Sequence, residues 1–375
     1  MANPVWLLAL LSPLLCACIL ACKRLHFQVL TEWERKMRGT NRPGLKDVAA
    51  LVGVSTASIS RCINNPQKVA EPTRLRIQKA IELLGYVPHF GGRALAINRT
   101  NTIGAIIPSM ENAVFASGLQ AFQEALRHAK VTLLVGSSNY NATQEYDQIR
   151  SLLSQGADGL LLIGKDRPKN TQDFLERNSV PHVLAWCFAE HMSSLTVGFD
   201  NRKSGQKITK HVIEYGHRKL AVIAGLREGN DRSHERILGI EDAVKANPAV
   251  EIVAIEECKY SFNEAGAALD RILALGKSPT AIICSSDVLA VGAMLRTKDL
   301  GLRVPDDLSI TGFDDINLAR VVTPGLTTVR VPQQEMGRKA ALILLDLINP
   351  NRSNAELQSI ELTTPIITRG TLAYL

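Results

Sequence analysis

From residue 102 onward the chain alternates short, β-rich apolar runs with helical stretches, and this alternation limits the fold more than any other feature. The runs are 103–108, 132–136, 159–163, 182–185, 220–224, 252–255, 281–284 and 309–312. Parallel strands need a long crossover, usually a helix, so this pattern implies parallel sheets covered by helices on both faces. With 375 residues, 46% of them apolar, the chain can bury ordinary cores and accommodate two or three domains. It is an α/β chain.

Charge divides the chain differently. Residues 37–98 carry nine basic side chains (Arg38, Arg42, Lys46, Arg61, Lys68, Arg74, Arg76, Lys79 and Arg93) against three acidic ones (Asp47, Glu71 and Glu82), whereas residues 99–375 are close to neutral. A compact basic module on a neutral body is the footprint of a phosphate-contacting unit joined to one that does not touch nucleic acid. The seven cysteines (Cys16, Cys18, Cys22, Cys62, Cys187, Cys258 and Cys284) contain no CxxC pair and have no histidines at ligand spacing. They indicate neither a zinc centre nor a disulfide framework, and the last four read as buried thiols of a reducing compartment. No metal and no cofactor is implied.

The first 36 residues stand apart. Residues 6–22 are apolar, interrupted by Pro13 and followed by Lys23-Arg24, and Ile19-Leu20-Ala21-Cys22 has the look of a lipoprotein cleavage sequence. A run of this length is at the short edge for a membrane span, and no basic stretch precedes it. Three readings remain: an extension upstream of a true start at Met37, a membrane anchor, or a lipoprotein signal. The first is favoured and places the protein in the cytoplasm, because export would carry a DNA-binding unit away from DNA.

The segment 45–66, LKDVAALVGVSTASISRCINNP, places Leu45, Val48, Ala49 and Val52 at helical spacing and then breaks at Gly53. Ser55 is a good N-cap for a second helix over 56–64, and Val54 can fill the angle between the two. Ala49, Gly53 and Ile59 supply the small residue, the turn glycine and the buried β-branched residue of a helix-turn-helix. The outward face of the second helix is then Thr56, Ala57, Ser58, Ser60, Arg61 and Asn64. Side chains of this kind can meet phosphates, a thymine methyl and, through Arg61, a guanine edge in the major groove. Alone, the segment could equally be a helical hairpin facing water. A third helix over 73–84, apolar at Leu75, Ile77, Ala80, Ile81 and Leu84 with Arg74, Arg76 and Lys79 outside, completes a three-helix headpiece.

Taken in order, Asp47-Val48-Ala49, Gly53-Val54-Ser55, Ser60-Arg61, Asn64-Asn65-Pro66 and Leu84-Gly85-Tyr86-x-Pro88 resemble the headpiece of the LacI/GalR family of transcription regulators. The resemblance extends over essentially all of 37–375. It implies a headpiece over 37–88, a hinge over 89–99 and a core over 100–375 built as two doubly wound parallel-sheet lobes of periplasmic-binding-protein type. The first lobe is expected at 100–199 plus 326–337, and the second at 200–325 plus 338–375. In the family the hinge folds on operator DNA. Arg93 matches its end, and Leu95 matches the residue wedged between base steps of the minor groove. Gly91-Gly92 departs from the family pattern, each glycine costing about 1 kcal/mol of helix relative to alanine.

The resemblance also implies an effector between the lobes, at the carboxyl ends of the strands. Arg236 matches a family arginine that grips a carboxylate or a pair of hydroxyls, and Asp314 an acid that accepts hydrogen bonds from hydroxyls. Phe115 matches an aromatic that packs on the ligand, Ser286 stands where relatives carry asparagine, and Tyr260 or Phe262 is expected to close the opposite side, with Phe262 preferred. Val197-Gly198-Phe199-Asp200-Asn201 is similar to gluconate-type repressors, making a sugar or sugar acid the expected effector. From the residues alone, Arg236, Asp314 and Asp315 read as surface ion pairs and Phe115 as core. His217 is read as structural.

An enzyme is not indicated: the sequence has no GxSxG, HExxH, P-loop or GxGxxG after a strand. A solute-binding protein would share the body but have no use for the basic module. The implied partners are double-stranded operator DNA, a small effector and a second copy of the chain, with a dimer expected because no heptad tail follows Thr368-Arg369-Gly370.

Overall fold

The computed structural model describes residues 43–87, 99–190, 192–349 and 357–375. The segment 1–36 and the hinge, with Arg93 and Leu95, lie outside the described residues. The chain forms two compact units, divided after Asn98.

The first unit contains α1 (Leu45–Val52), α2 (Thr56–Asn64) and α3 (Glu71–Leu84). Gly53 ends α1 in a left-handed conformation (φ 73°) that a side chain would strain, and the Ser55 hydroxyl caps α2 by accepting from the Ser58 amide at 3.2 Å. Val48, Ala49, Val52, Ile59, Cys62, Ile77, Ala80, Leu84 and Tyr86 form its core, with Val54 packed against them. One expectation for α3 fails. Leu75 is 56% exposed, because Ile77, Ala80 and Leu84 already fill the face toward α1 and α2. Arg76 lies outside as expected, and from there its guanidinium donates back to the Val52 carbonyl at 2.6 Å, satisfying an orphan acceptor at the end of α1.

The second unit has two six-stranded sheets. In the first lobe β1 (Thr102–Ile107), β2 (Thr132–Ser137), β3 (Gly159–Ile163), β4 (His182–Ala185) and β5 (Leu195–Gly198) alternate with α4 (Ala113–His128), α5 (Ala142–Ser154) and α6 (Lys169–Arg177). In the second, α7 (Asn201–Glu214), β6 (Lys219–Gly225), α8 (Asp231–Lys245), β7 (Glu251–Cys258), α9 (Phe262–Ala274), β8 (Ala281–Cys284), α10 (Asp287–Asp299), β9 (Ser309–Asp314), α11 (Leu318–Val321) and β10 (Thr327–Arg330) follow in turn. The chain closes with α12 (Gln333–Ile348), β11 (Ile360–Glu361) and β12 (Ile366–Ile367). The strand orders are β11-β5-β4-β3-β1-β2 and β12-β10-β9-β8-β6-β7, parallel throughout except for the antiparallel β10–β12 pair.

The expected lobe boundaries need correction after residue 325. Strand β10 pairs with β9 in the second sheet, whereas α12 packs on α4 and β11 pairs with β5 in the first. The chain therefore crosses between lobes after β5, after β10 and again between β11 and β12. Segment 326–330 belongs to the second lobe, 333–349 and 357–361 to the first, and 366–375 to the second. A two-residue strand such as β11 carries no periodicity, so this last crossing leaves no pattern to read.

Candidate DNA-reading surface and effector cleft

On the headpiece, Thr56, Ala57 and Arg61 are exposed along one side of α2, while Ser58, Ser60 and Asn64 are partly covered. Ser58 shares its hydroxyl with Ser55 at 3.0 Å, and Asn64 donates to Ser60 at 3.3 Å. The Asn64 side-chain amide oxygen, Oδ1, is buried without a hydrogen-bond partner among the described residues. Among the described residues Arg61 makes no side-chain hydrogen bond or ion pair, and its exposed guanidinium lies beside short polar groups. A helix with this face suits a groove in which long and short side chains meet phosphates and base edges.

In the second unit, the cleft between the lobes gathers Asn112, Phe115, Tyr140, Trp186, Asn230, Arg232, Arg236, Tyr260 and Asp314 around a residual cavity of about 20 Å³. Their positions follow from the sheets. Tyr140 follows β2, Trp186 follows β4, Asn230 and Arg232 follow β6, Tyr260 follows β7, and Asp314 ends β9. Both parallel sheets direct their carboxyl ends here, where the loops are free to carry polar groups.

Arg236 is nearly inaccessible. Its Nε donates to Asn201 Oδ1 at 2.9 Å and its Nη1 to the Ser285 carbonyl at 2.6 Å, and its guanidinium lies 3.7 Å from the centre of the Phe313 ring. It reaches this place because α7 and α8 pack backbone to backbone. A methyl at Gly205 would strike the Arg236 carbonyl, and one at Gly239 the Arg202 carbonyl. Asn201 also donates to the Trp186 carbonyl at 3.0 Å, so one amide side chain ties the first lobe to the arginine of the second.

Asp314 stands 3.7 Å from Arg236 Nη1. Burial pushes its pKa up to about 7 despite the opposing pull of Arg236 and of the Ser286 hydroxyl. It and Asp315 have positive φ angles of 120° and 52°. That strained turn is held by Gln333, which donates to the Asp314 carbonyl at 3.1 Å, and by Arg330 and Arg369, both paired with the Asp315 carboxylate. Behind it lies Asp287, buried and bonded to Thr328 at 2.5 Å and to the Ile316 amide at 2.8 Å. Burial and the nearby Asp314 raise its pKa well above the carboxylate range. Two buried polar atoms of the cleft have no hydrogen-bond partner among the described residues: Asp314 Oδ1, an acceptor whose contact with Arg236 Nη1 is only an ion pair at 3.7 Å, and Trp186 Nε1, a donor. Unpaired buried groups are costly, and a ligand that pairs both relieves that cost.

The structure thus brings Phe115, Arg236 and Asp314 into one cleft. Phe115 is buried and meets Trp186 edge to face at 5.4 Å. Ser286 does not line the cavity; it caps α10 by accepting from the Val288 amide at 3.2 Å and lies behind the Asp314 carboxyl. Phe262 is a correction. It opens α9, is 43% exposed and faces a different groove with Val288 and Leu318, whereas Tyr260, two residues earlier, turns into the cleft and accepts from Asn230 at 3.0 Å. His217 is structural: buried, it pairs with Thr280 and with the Ala373 carbonyl. Sequence reasoning missed Asn112, Tyr140, Trp186, Asn230 and Arg232. Apart from Asn112, which caps α4, each stands just past a strand's carboxyl end, a position that could have identified it.

Among the described residues no helix is long and apolar enough to cross a membrane. Two family models match the chain: "Bacterial regulatory proteins, lacI family" over residues 44–89 and "Periplasmic binding protein-like domain" over residues 209–372. The HTH-type transcriptional repressor CytR of Escherichia coli (strain K12) is 35% identical over 303 residues, covering 80% of this chain and 89% of that protein. The HTH-type transcriptional repressor PurR of Vibrio campbellii (strain ATCC BAA-1116) is 33% identical over 333 residues, 88% of this chain and 99% of that one. A LacI-family transcriptional regulator from Silicibacter pomeroyi, solved by crystallography, superposes with a TM-score of 0.81 at 26% identity, covering 88% of this chain and 99% of its own.

Proposed function

The chain belongs to the lacI family of bacterial regulatory proteins, a DNA-binding transcriptional repressor with a ligand-binding core, and from that premise we propose that a sugar or sugar acid held in the interlobe cleft sets its affinity for operator DNA. Gluconate is the first candidate. The observation that carries the reading is the pair of buried cleft atoms without a hydrogen-bond partner among the described residues, Asp314 Oδ1 and Trp186 Nε1, set among the rings of Phe115, Trp186, Tyr140 and Tyr260. An acceptor and a donor beside aromatic faces suit a small ring or chain bearing hydroxyls.

A cavity of about 20 Å³ holds about one water, so an effector enters only when the lobes part. Parting them separates Tyr140 from Tyr260, whose rings are 5.6 Å apart, and the Lys165 amide from Asp231. An effector therefore binds one lobe arrangement better than another, and that differential affinity is what can reach the DNA-binding unit. In this proposal two cytoplasmic copies of the chain present two headpieces to the half-sites of a palindromic operator, with Thr56, Ala57, Ser58, Ser60, Arg61 and Asn64 on the groove and Arg93 and Leu95 at the hinge. The test is fluorescence anisotropy on the protein's own promoter region at fixed salt, with and without gluconate and related sugars. Sequence-selective binding that shifts with one of them supports the proposal; selective binding that none of them moves removes the sugar assignment.

Effector affinity is also expected to depend on pH. Below the ordinary carboxylate range Asp314 is protonated whether the chain is folded or not. Between there and about 7 only the folded form keeps the proton, so Asp314 contributes stability that falls as pH rises through this window. A hydroxyl donating to Oδ1 favours the ionised acid. Binding therefore releases the proton, and affinity rises from pH 6 to pH 8. Calorimetric titrations across this range should show the rise in the parent protein and a flat profile in Asp314→Asn; a fall with pH would mean that the acid binds its ligand in the neutral form.

A further inference from the structure

We propose that the effector is an anion and that Arg232 selects it, an inference that rests on the cleft being the effector site. Arg232 and Arg236 lie one turn apart on the same side of α8, both buried and both on the cavity wall. Their surroundings differ. Arg236 is occupied by Asn201, Ser285 and the Phe313 ring, so its position is fixed by the protein. Among the described residues Arg232 has one hydrogen bond, from Nη1 to Asp231 Oδ1 at 2.7 Å, although a guanidinium carries five donors. Asp231 is itself shared, because its other oxygen accepts the Lys165 amide at 2.7 Å. The Lys165 ammonium is neutralised separately by Glu235 at 3.0 Å.

The charge balance of the wall follows. Two guanidiniums face the cavity against the Asp231 carboxyl, which pairs with Arg232, and a second carboxyl, Asp314, that burial keeps partly neutral near pH 7. Tyr140 adds only a neutral phenol, since burial raises its pKa. The wall carries excess positive charge, with free donors at Arg232, and a buried cation with unsatisfied N–H groups is stabilised by an anion that accepts them. A planar fork favours a carboxylate or a phosphate, which can take two parallel N–H bonds at once. The Arg232 guanidinium lies hard against Gly164 of the first lobe, so an anion bridging it is held only when both lobes contribute to the wall. The ligand then lies with its anionic end at Arg232 and its hydroxyls toward Asp314 and Trp186.

The test is calorimetry on the full chain with three matched groups: the sugar acids gluconate and glucuronate, the sugar phosphate glucose 6-phosphate, and the neutral glucose and glucitol. An acid or a phosphate is expected to bind about tenfold or more tighter than its neutral counterpart, the worth of a charge-assisted hydrogen bond, and which of the two binds identifies the anion. Arg232→Gln is expected to bring that ratio close to one, and Arg232→Lys, which keeps the charge but not the fork, to leave it intermediate; thermal unfolding of each variant confirms that it is folded. Neutral sugars binding as tightly as the acids, or an unchanged ratio in folded Arg232→Gln, overturns the assignment to Arg232. If no member of any group binds to protein that still selects its operator, the sugar reading of the cleft fails, and this inference fails with it.

Discussion

Replacing Arg61 by alanine is expected to abolish selective operator binding while leaving the headpiece as stable as before. Arg61 is exposed, and its guanidinium has no partner among the described residues whose loss would be felt. Its carbonyl accepts from the Asn65 amide, an interaction alanine preserves. Surface changes of this kind usually alter stability by less than about 0.5 kcal/mol. On DNA, a bidentate arginine–guanine contact is worth about 1–3 kcal/mol of discrimination. A dimer on two half-sites loses it twice, roughly thirtyfold to ten-thousandfold in affinity for the operator. Anisotropy against the operator and against single-base variants separates the possible roles. Loss confined to one base position per half-site identifies a base contact; loss spread evenly over all sequences, with a shallower salt dependence, makes Arg61 a phosphate contact. Unchanged affinity would leave α2 as an ordinary solvated helix.

The sequence announced the headpiece because nearly all of its determinants are local. Gly53, Ser55 and the spacing of Val48, Ala49, Val52 and Ile59 specify two helices and the turn between them within fifteen or so residues, and the structure uses each in that role. Leu75 escaped for a reason periodicity cannot supply: a three-helix unit this small has room for only a few side chains of α3, and Ile77, Ala80 and Leu84 take it. The parallel sheets were legible from alternation, but the lobe assignment after residue 325 was not, since it is decided by which edge the two-residue strands β11 and β12 join. At the cleft the pattern is similar. Arg236 and Asp314 were reached through the family resemblance, whereas Tyr140, Trp186 and Arg232 come together only when two lobes close on each other. Phe262 was preferred over Tyr260 on chemistry that both share; what separates them is the turn at Ser261 that starts α9.

That convergence makes Arg236→Ala the second large effect. The arginine joins three parts of the cleft: Asn201 and through it the Trp186 carbonyl, the Ser285 carbonyl, and the Asp314 carboxyl at 3.7 Å. With the effector in the cleft as proposed, alanine removes the cation fixed beside it and frees Asn201 from one of its two tethers, so ligand affinity and its transmission between lobes are expected to fall together. Truncating a buried, hydrogen-bonded charge opposite a ligand typically costs about 2–5 kcal/mol, roughly thirtyfold to several thousandfold in effector affinity. The ratio of operator affinities with and without effector is accordingly expected to approach one at effector concentrations that saturate the parent protein. Losing the pairing also disfavours the ionised Asp314, which moves further toward its neutral form, and thermal unfolding should show a lower midpoint than the parent. Asn201→Ala distinguishes binding from transmission. It leaves the guanidinium in the cleft on Ser285 and Phe313 but cuts the link to Trp186, so effector should still bind in calorimetry while the operator response shrinks. If both variants lose binding alike, Asn201 acts only by holding the arginine in place, and the coupling between lobes runs through the closing contacts at Lys165 and Tyr140 instead.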